Sequence, residues 1–473
     1  MRWIAAGLLV SALATAGEVA ELPPDLRKLA GLAASLPPEF QADALLQMVE
    51  SHGGLDAPLK KDLLEQAFTA ARQSRIPYPK TGAYGVAADS RQGFEAAALA
   101  LKLDRLSLEM RTIRAMMSFD PISARQMFQR SQRPAPPEVV CGDALVPQLD
   151  DYYDMGAQVV ARGFTPKEIT RQEHVALLLH IVEGVKAPFE IGPAARMISH
   201  ASLTPTQFEA ALTSYTGRLE AMGHDDRSFS ETALATQQEI GALAAYTASM
   251  EIPNATLAGA YRKYLTSRYA KARCGDSAGA RIAGTPTTSP ADWFNQSDLR
   301  GDLPKIDIKE LRVRDPDGKL TLDAFWSSPD SAKILIAAQG LRTSPGGVFY
   351  GVSERSSTEW NQKLQEFLAQ LGEWKQSGEE SELDFFNEKA TVYQALIDLC
   401  PAGDARQRMI GAFVDFLKGS NVSRDHPVDW FWHAQNLYRR LRRSGDSDAT
   451  RLMMAYKASG NLTLEVYAQL NGR

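Results

Sequence analysis

Residues 358–374 read Thr-Glu-Trp-Asn-Gln-Lys-Leu-Gln-Glu-Phe-Leu-Ala-Gln-Leu-Gly-Glu-Trp, and this stretch decides the fold class. Its large apolar residues recur every three or four positions, which places them on one face of an α-helix. They are Trp360, Leu364, Phe367, Leu368, Leu371 and Trp374. Similar patterns run from Leu26 to Leu470. The sequence therefore predicts an all-α protein, either a multi-helix antiparallel bundle or an irregular α-solenoid array.

Helix-start signals divide this helical pattern into separate elements. Thr165-Pro166 and Thr204-Pro205 each combine an N-cap residue with Pro at the first helical position and an acceptor side chain at the third. Ser228-Phe229-Ser230-Glu231 predicts a capping box without Pro. Further cap-plus-Pro starts stand at Asp120-Pro121, Ser289-Pro290 and Ser328-Pro329. Together these signals predict about fifteen helices of ordinary length.

One segment departs from the helical period. Leu311 and Val313 alternate with charged residues, residues 315–318 read Asp-Pro-Asp-Gly, and Leu320 and Leu322 alternate again. Alternation on both sides of a turn is typical of a β-hairpin. We therefore expect at most one short hairpin, near 311–324, lying on helices because a lone hairpin is marginally stable.

The first residues have the layout of a secretory signal peptide. Met1-Arg2 carries positive charge, Trp3 to Ala14 carries none, and Ala14-Thr15-Ala16 offers small residues for cleavage. The apolar run is short for a bilayer span, although an uncleaved anchor is the alternative. We predict a signal peptide at 1–16, a periplasmic or extracellular location, and no membrane span after cleavage.

Breaks in the pattern suggest three helical blocks. Arg133 to Pro137 contains three prolines and is typical of a stiff linker. Residues 276–288 are rich in Gly, Ala, Thr and Ser, which is typical of a loop. We predict an N-terminal block at 17–133, a middle block at 134–275, a flexible linker at 276–288 and a C-terminal block at 289–473.

The chain has three cysteines, which allow three pairings in an exported protein. Cys141 and Cys274 each begin a Cys-Gly-Asp sequence at a break beside a helical run, whereas Cys400 ends an apolar helix and precedes Pro401. We predict a disulfide between Cys141 and Cys274. Three unpaired buried thiols are the alternative, since free Cys packs as a small hydrophobe.

Ser277 is a candidate nucleophile. Residues 275–279 read Gly-Asp-Ser-Ala-Gly and match Gly-x-Ser-x-Gly, the motif that resembles the nucleophile elbow of lipases and esterases of the α/β-hydrolase family. That elbow requires a strand before the Ser and a helix after it. Here residues 261–270 form a helical pattern and a Gly/Thr/Pro segment follows, which favours a flexible loop.

Asp150, Asp154 and His224 are the other candidate catalytic residues. Asp150 and Asp154 lie one helical turn apart, whereas the carboxyl pair of a glycosidase stands across a cleft, so each would need a distant partner. A solvated helix face is the competing interpretation. His224 precedes Asp225-Asp226, where a helix start also explains the acidic residues. We predict no metal site and no cofactor, because no ligand pair has the required spacing.

Composition narrows the function classes. With 44% apolar residues, 23% charged residues and a net charge of −5, the chain has neither the profile of a disordered protein nor the basic excess of a nucleic-acid binder. We predict an exported helical binding protein whose partner is a protein, a peptide or an envelope polymer. The alternative is a hydrolase acting on an envelope or extracellular polymer with carboxylates in a helical cleft. A deep pocket with converging acids or His would favour the hydrolase, and a shallow groove lined by Tyr, Trp and Arg would favour the binding protein.

Overall fold

The structure is a computed structural model. It describes residues 22–83, 86–222, 226–270, 274, 289–308, 329–343, 349–351, 354–378, 380–443 and 447–471. α-Helices dominate this part of the chain, which confirms the all-α fold. It contains 22 α-helices, more than the start signals predict, because short helices such as 422–425 lack a strong sequence signal.

The first helices form a bundle around the second and the fifth. In the described residues before 134 the helices are α1 (Pro24–Ala33), α2 (Pro38–Ser51), α3 (Ala57–Ala71), α4 (Arg91–Leu99), α5 (Arg105–Met117) and α6 (Pro121–Arg130). α2 packs on α3, and α5 packs on α2, α3 and α6. Side-chain caps fix several starts: Asp120, as predicted, accepts from the backbone N–H of Ser123 at the start of α6.

The middle helices pack around α10. They are α7 (Asp150–Arg162), α8 (Pro166–Thr170), α9 (Glu173–Glu183), α10 (Pro188–His200), α11 (Pro205–Ala221), α12 (Arg227–Ser249) and α13 (Ala255–Ala270). α10 contacts α7, α11 and α12. The capping box of Thr165 and Glu168 is confirmed.

The capping box predicted at Ser228 is wrong. α12 begins at Arg227, and Asp226 is its cap, because the carboxylate accepts from both the backbone N–H and the hydroxyl of Ser228. Glu231 forms an ion pair with Arg227 one turn earlier. A carboxylate two residues before Ser228 therefore takes the cap position that the Ser was expected to occupy.

The last helices contain the stretch that decides the fold. They are α14 (Pro290–Gln296), α15 (Pro329–Arg342), α16 (Thr358–Glu373), α17 (Glu382–Leu399), α18 (Asp404–Gly419), α19 (Val422–Asp425), α20 (Pro427–Arg443), α21 (Asp448–Lys457) and α22 (Leu462–Asn471). In α16 the buried positions are Trp360, Leu364, Phe367 and Leu371, as the apolar stripe predicts.

Two short strands, β1 (Lys80–Gly82) and β2 (Leu145–Pro147), pair antiparallel with Thr81 opposite Val146. The amino-acid sequence does not predict this pair, because three-residue strands are too short to show an alternating pattern. The hairpin predicted at 311–324, the signal peptide at 1–16 and the linker at 276–288 lie outside the described residues.

The two ends of the described chain pack together. α22 contacts α1 and α2, and α20 contacts α4. Buried apolar side chains from Leu26 to Ala468 belong to one continuous core. These contacts bring the first and the last predicted blocks together and create the cavity described below.

The predicted disulfide is confirmed. Cys141 and Cys274 are bonded, are 133 residues apart in sequence and have Cα atoms 5.1 Å apart. The third cysteine, Cys400, has no disulfide partner in the described part of the chain. Burial raises the pKa of its thiol to about 12. None of the described helices is long and apolar enough to cross a membrane.

Candidate functional site

Asp150 and Asp154 share one cationic partner. Arg196 of α10 donates from Nη2 to Asp150 and from Nε to Asp154, both at 2.8 Å. Its Nη1 donates to Glu239 of α12 at 2.7 Å. The three carboxylates thus tie α7, α10 and α12 through one guanidinium. This placement explains the two aspartates structurally and does not put them in the cavity described below.

The other two candidate catalytic residues are not among the residues that the structure describes. Ser277 and His224 both lie in segments that the structure does not describe. The helix predicted before Ser277 is present as α13, which ends at Ala270. Among the described residues, no three His, Cys, Asp or Glu side chains come close enough together to hold a metal ion.

A deep cavity of about 510 Å³ lies where the first and last helices meet, and we call it the junction cleft. Its volume is within the range of roughly 300–1,000 Å³ that small-molecule sites occupy. Segment 74–80, α2, α4, α17 and the start of α20 form its walls. The lining residues are Glu39, Ser74, Arg75, Ile76, Pro77, Tyr78, Lys80, Arg91, Glu95, Ala98, Leu99, Leu383, Asn387, Asp425, His426, Pro427, Val428 and Asp429.

Helix starts position the two most enclosed acids of the cleft. Glu39 and Asp429 lie in the first turns of α2 and α20, each beside a Pro that begins the helix. A bidentate ion pair links α4 and α17, two helices that form the cleft wall. Arg91 of α4 donates from Nε and Nη2 to the two carboxylate oxygens of Asp384 on α17, at 2.8 and 2.6 Å. The cleft walls are therefore linked by a directional contact as well as by apolar packing.

Burial changes the acidity of both carboxyl groups. It raises the pKa of Asp429 to about 6, where nearby Glu95 adds to the rise and His426 opposes it. Burial also raises the pKa of Glu39, against the opposing charge of Arg75. Carboxyl groups with raised pKa values in a cavity are typical of functional sites, because they hold or exchange a proton near neutral pH.

Ser74 supplies an unsatisfied group at the cleft. The residue is 9% exposed, and its hydroxyl has no hydrogen-bond partner among the residues that the structure describes. A buried polar atom without a partner costs roughly 1–3 kcal/mol. That oxygen is closed to solvent, and several side chains outside the cleft, Asp104 among them, also have a buried polar atom without a partner in the described structure, so the hydroxyl by itself does not mark a ligand site.

The amino-acid sequence alone does not single out the residues of the junction cleft. Glu39, Ser74 and Asp429 come from distant parts of the chain, and each has an ordinary local explanation. An acid in the first turn of a helix favours the helix dipole, so neither carboxyl differs in pattern from a structural one. These residues form a recognisable cluster only in the folded protein, where α20 and α22 pack on the first helices.

No protein-family model matches the chain, and searches of curated proteins and of solved structures found no match either. The interpretation of the junction cleft therefore depends on its own geometry and chemistry.

Proposed function

We propose that the protein is an exported binding protein of the cell envelope whose ligand occupies the junction cleft. The observation that carries this proposal is a cavity of about 510 Å³ that is lined by two carboxyl groups with raised pKa values. Apolar side chains such as Ile76 and Val428 supply the contact area that small-molecule sites need.

Two features support an exported location, periplasmic or extracellular. The first residues have the three-part layout of a signal peptide. The Cys141–Cys274 disulfide is of the kind that persists in oxidising compartments. N-terminal sequencing of the protein recovered outside the cytoplasm is expected to begin at Gly17, and intact Met1-Arg2 on a membrane-bound form would contradict cleavage.

Filling the cleft tests the binding site. Ile76 lines the cleft, whereas Ile169 on α8 is 43% exposed and does not line it. We expect wild type to retain a small molecule from a soluble digest of its own envelope, seen by native mass spectrometry. Ile76→Trp should lose that species and Ile169→Trp should keep it. Retention by both variants, or by none of the three proteins, would contradict the proposal.

A hydrolase is the second candidate, and the raised pKa values of Glu39 and Asp429 favour it specifically. The cleft is lined by acids and a His, which is the feature expected of a hydrolase of an envelope polymer and differs from the shallow groove of Tyr, Trp and Arg expected of a protein-binding surface. Asp429, with a pKa of about 6, has the acidity of a general acid near neutral pH, and Glu39 would be the second carboxyl group. The other charged groups that line the cleft are Arg75, Lys80, Arg91, Glu95, Asp425 and His426.

The pH profile separates turnover from simple binding. If protonated Asp429 donates the proton, release of soluble fragments from purified envelope polymer should fall as pH rises through about 6. Asp429→Asn should lower the rate by roughly 100-fold or more, the usual contribution of a general acid. Asp415→Asn, on the exposed side of α18, should leave the rate unchanged. Absence of fragment release by wild type would eliminate the hydrolase and leave the binding protein.

A further inference from the structure

A buried histidine lies directly behind the cleft. His433 of α20 is 1% exposed and is surrounded by the rings of Phe94, Phe386 and Trp432. Burial, and to a smaller extent the charge of Arg440, lowers its pKa to about 3, so the imidazole is neutral near neutral pH. A neutral imidazole has one nitrogen that donates and one that accepts.

A chain of amides fixes which nitrogen donates. Asn436 donates from Nδ2 to Oε1 of Gln394 at 3.1 Å, and Nε2 of Gln394 lies 2.9 Å from Nδ1 of His433. Because an amide nitrogen only donates, Nδ1 must accept, and the proton is on Nε2. That Nε2 lies 3.0 Å from Oδ1 of Asn387 and donates to it.

The direction of this chain determines what Asn387 offers to the cleft. Asn387 lines the cleft and is 2% exposed. Its Oδ1 is occupied by His433, and its Nδ2 makes no hydrogen bond to any residue that the structure describes. The NH₂ end of the amide is therefore available to a ligand as a donor with two hydrogens, and Oδ1 keeps a second lone pair. A ligand that brings an acceptor to this point can pair with the amide.

The charge of the cleft further limits the class of ligand that it can bind. Its lining carries four carboxyl groups, three permanently cationic side chains and one His. Because the positive and negative charges of the lining nearly cancel, the electrostatic potential in the cleft favours neither a polyanion nor a polycation. A neutral ligand with both donors and acceptors fits best.

We propose that the junction cleft binds a neutral carbohydrate segment, with Asn387 as a specificity-determining donor that His433 and Gln394 hold in place. This inference rests on the proposed binding function. A sugar hydroxyl can accept from the Asn387 amide and donate to a carboxyl group such as Glu39. The cleft is a compact pocket of about 510 Å³, and an extended peptide requires a long groove or a free strand edge instead.

Three neutral tetrasaccharides test the inference: cellotetraose, maltotetraose and the tetramer of β-1,4-linked N-acetylglucosamine. An uncharged, end-blocked tetra-alanine is the peptide comparison. Binding is measured by calorimetry on wild type, Asn387→Asp and Asn361→Asp. Asn387→Asp keeps the acceptor for His433 but removes the donor from the cleft. Asn361→Asp makes the same substitution on α16, at a residue that neither lines the cleft nor belongs to this chain of amides.

We expect at least one tetrasaccharide to bind wild type, to bind Asn387→Asp at least tenfold more weakly, and to bind Asn361→Asp within threefold of wild type. Thermal unfolding of both variants shows whether each is folded, and NMR of the His433 ring should show the Nε2–H tautomer in wild type. The inference is overturned if no tetrasaccharide binds or if Asn387→Asp binds as wild type does. If tetra-alanine binds instead and Ile76→Trp blocks its binding, the carbohydrate proposal is wrong, but the cleft is still the binding site. Binding that Ile76→Trp does not affect removes both proposals.

Discussion

Asp104 shows how a structural carboxylate acquires an unusual acidity outside the cleft. It caps α5, where one oxygen accepts from the backbone N–H of Ser107 at 2.9 Å. The other oxygen is buried and has no hydrogen-bond partner in the part of the chain that the structure describes. Burial, only partly offset by the bonds to Ser107, raises the pKa of Asp104 to about 6. The folded protein therefore loses stability when this group ionises.

Asp104→Asn should stabilise the protein at neutral pH. Because the folded pKa is raised, the stability that Asp104 contributes is fully present below its unfolded pKa and is lost as pH rises through about 6. The amide keeps the cap and never ionises. At pH 7.5 we expect the free energy of unfolding to rise by roughly 1–3 kcal/mol, and its decline between pH 5 and 7 to flatten.

Urea unfolding across this pH range measures the effect. Asp56→Asn is the matched control, because Asp56 caps α3 in the same way but is exposed. It should leave the pH dependence as in wild type. A variant at Asp104 whose stability declines between pH 5 and 7 as steeply as that of wild type would contradict the assignment.

At the scale of elements, the sequence predicts helices well and strands poorly. The start signals at Asp120, Thr165 and Ser289 place α6, α8 and α14, because a cap is a local contact between residues close in sequence. Strands β1 and β2 pair residues more than sixty positions apart in sequence, and no local sequence pattern predicts either strand. The error at Ser228 came from two cap residues competing within one turn.

Gly93 should be essential to α4, the helix that lines the cleft. A Cβ at this position would lie 2.1 Å from the backbone oxygen of Ala87, a distance that only a backbone shift can relieve. We expect Gly93→Ala to lower the free energy of unfolding by more than about 2 kcal/mol, as overpacking does. Since α4 forms a cleft wall, ligand binding should weaken as well.

Gly411→Ala is the matched control for Gly93→Ala in thermal unfolding. Gly411 lies inside α18 on an exposed face, and in the described structure a Cβ there would meet no atom within 4 Å. Alanine in an open helical position should stabilise the protein by roughly 0.5–1 kcal/mol. Equal effects of the two substitutions would mean that the close approach at Gly93 is absent.

At the scale of the whole molecule, the sequence predicts the disulfide but not the cleft. Two identical Cys-Gly-Asp segments at helix breaks identify Cys141 and Cys274, and the structure brings them together. The cleft requires α20 and α22 to reach the first helices, and such long-range contacts leave no trace in a single sequence. In the sequence, therefore, nothing distinguishes Glu39, Ser74 and Asp429 from structural residues, and they come together only when the ends of the chain pack against each other.

Removing the disulfide should destabilise the protein strongly. For a closed loop of this length, chain-entropy models assign roughly 4–5 kcal/mol, which strain and residual unfolded structure usually reduce. We expect Cys141→Ser with Cys274→Ser to lower the denaturation midpoint, whereas Cys400→Ala keeps the bond. Non-reducing peptide mapping should recover a cross-linked 141–274 peptide from wild type. Three thiols that all react with an alkylating reagent in the unfolded, unreduced protein would contradict the pairing.

The central claim is that the ligand occupies the junction cleft, and hydrogen exchange tests it most directly. Purified protein is compared with and without a soluble digest of cell envelope, using mass spectrometry of proteolytic peptides. The account predicts slower exchange in three segments together, 74–80, 91–99 and 425–429, because they are far apart in sequence and meet only at the cleft. Bound ligand with protection confined to other segments, such as the helix that carries Asp150 and Asp154, would contradict it.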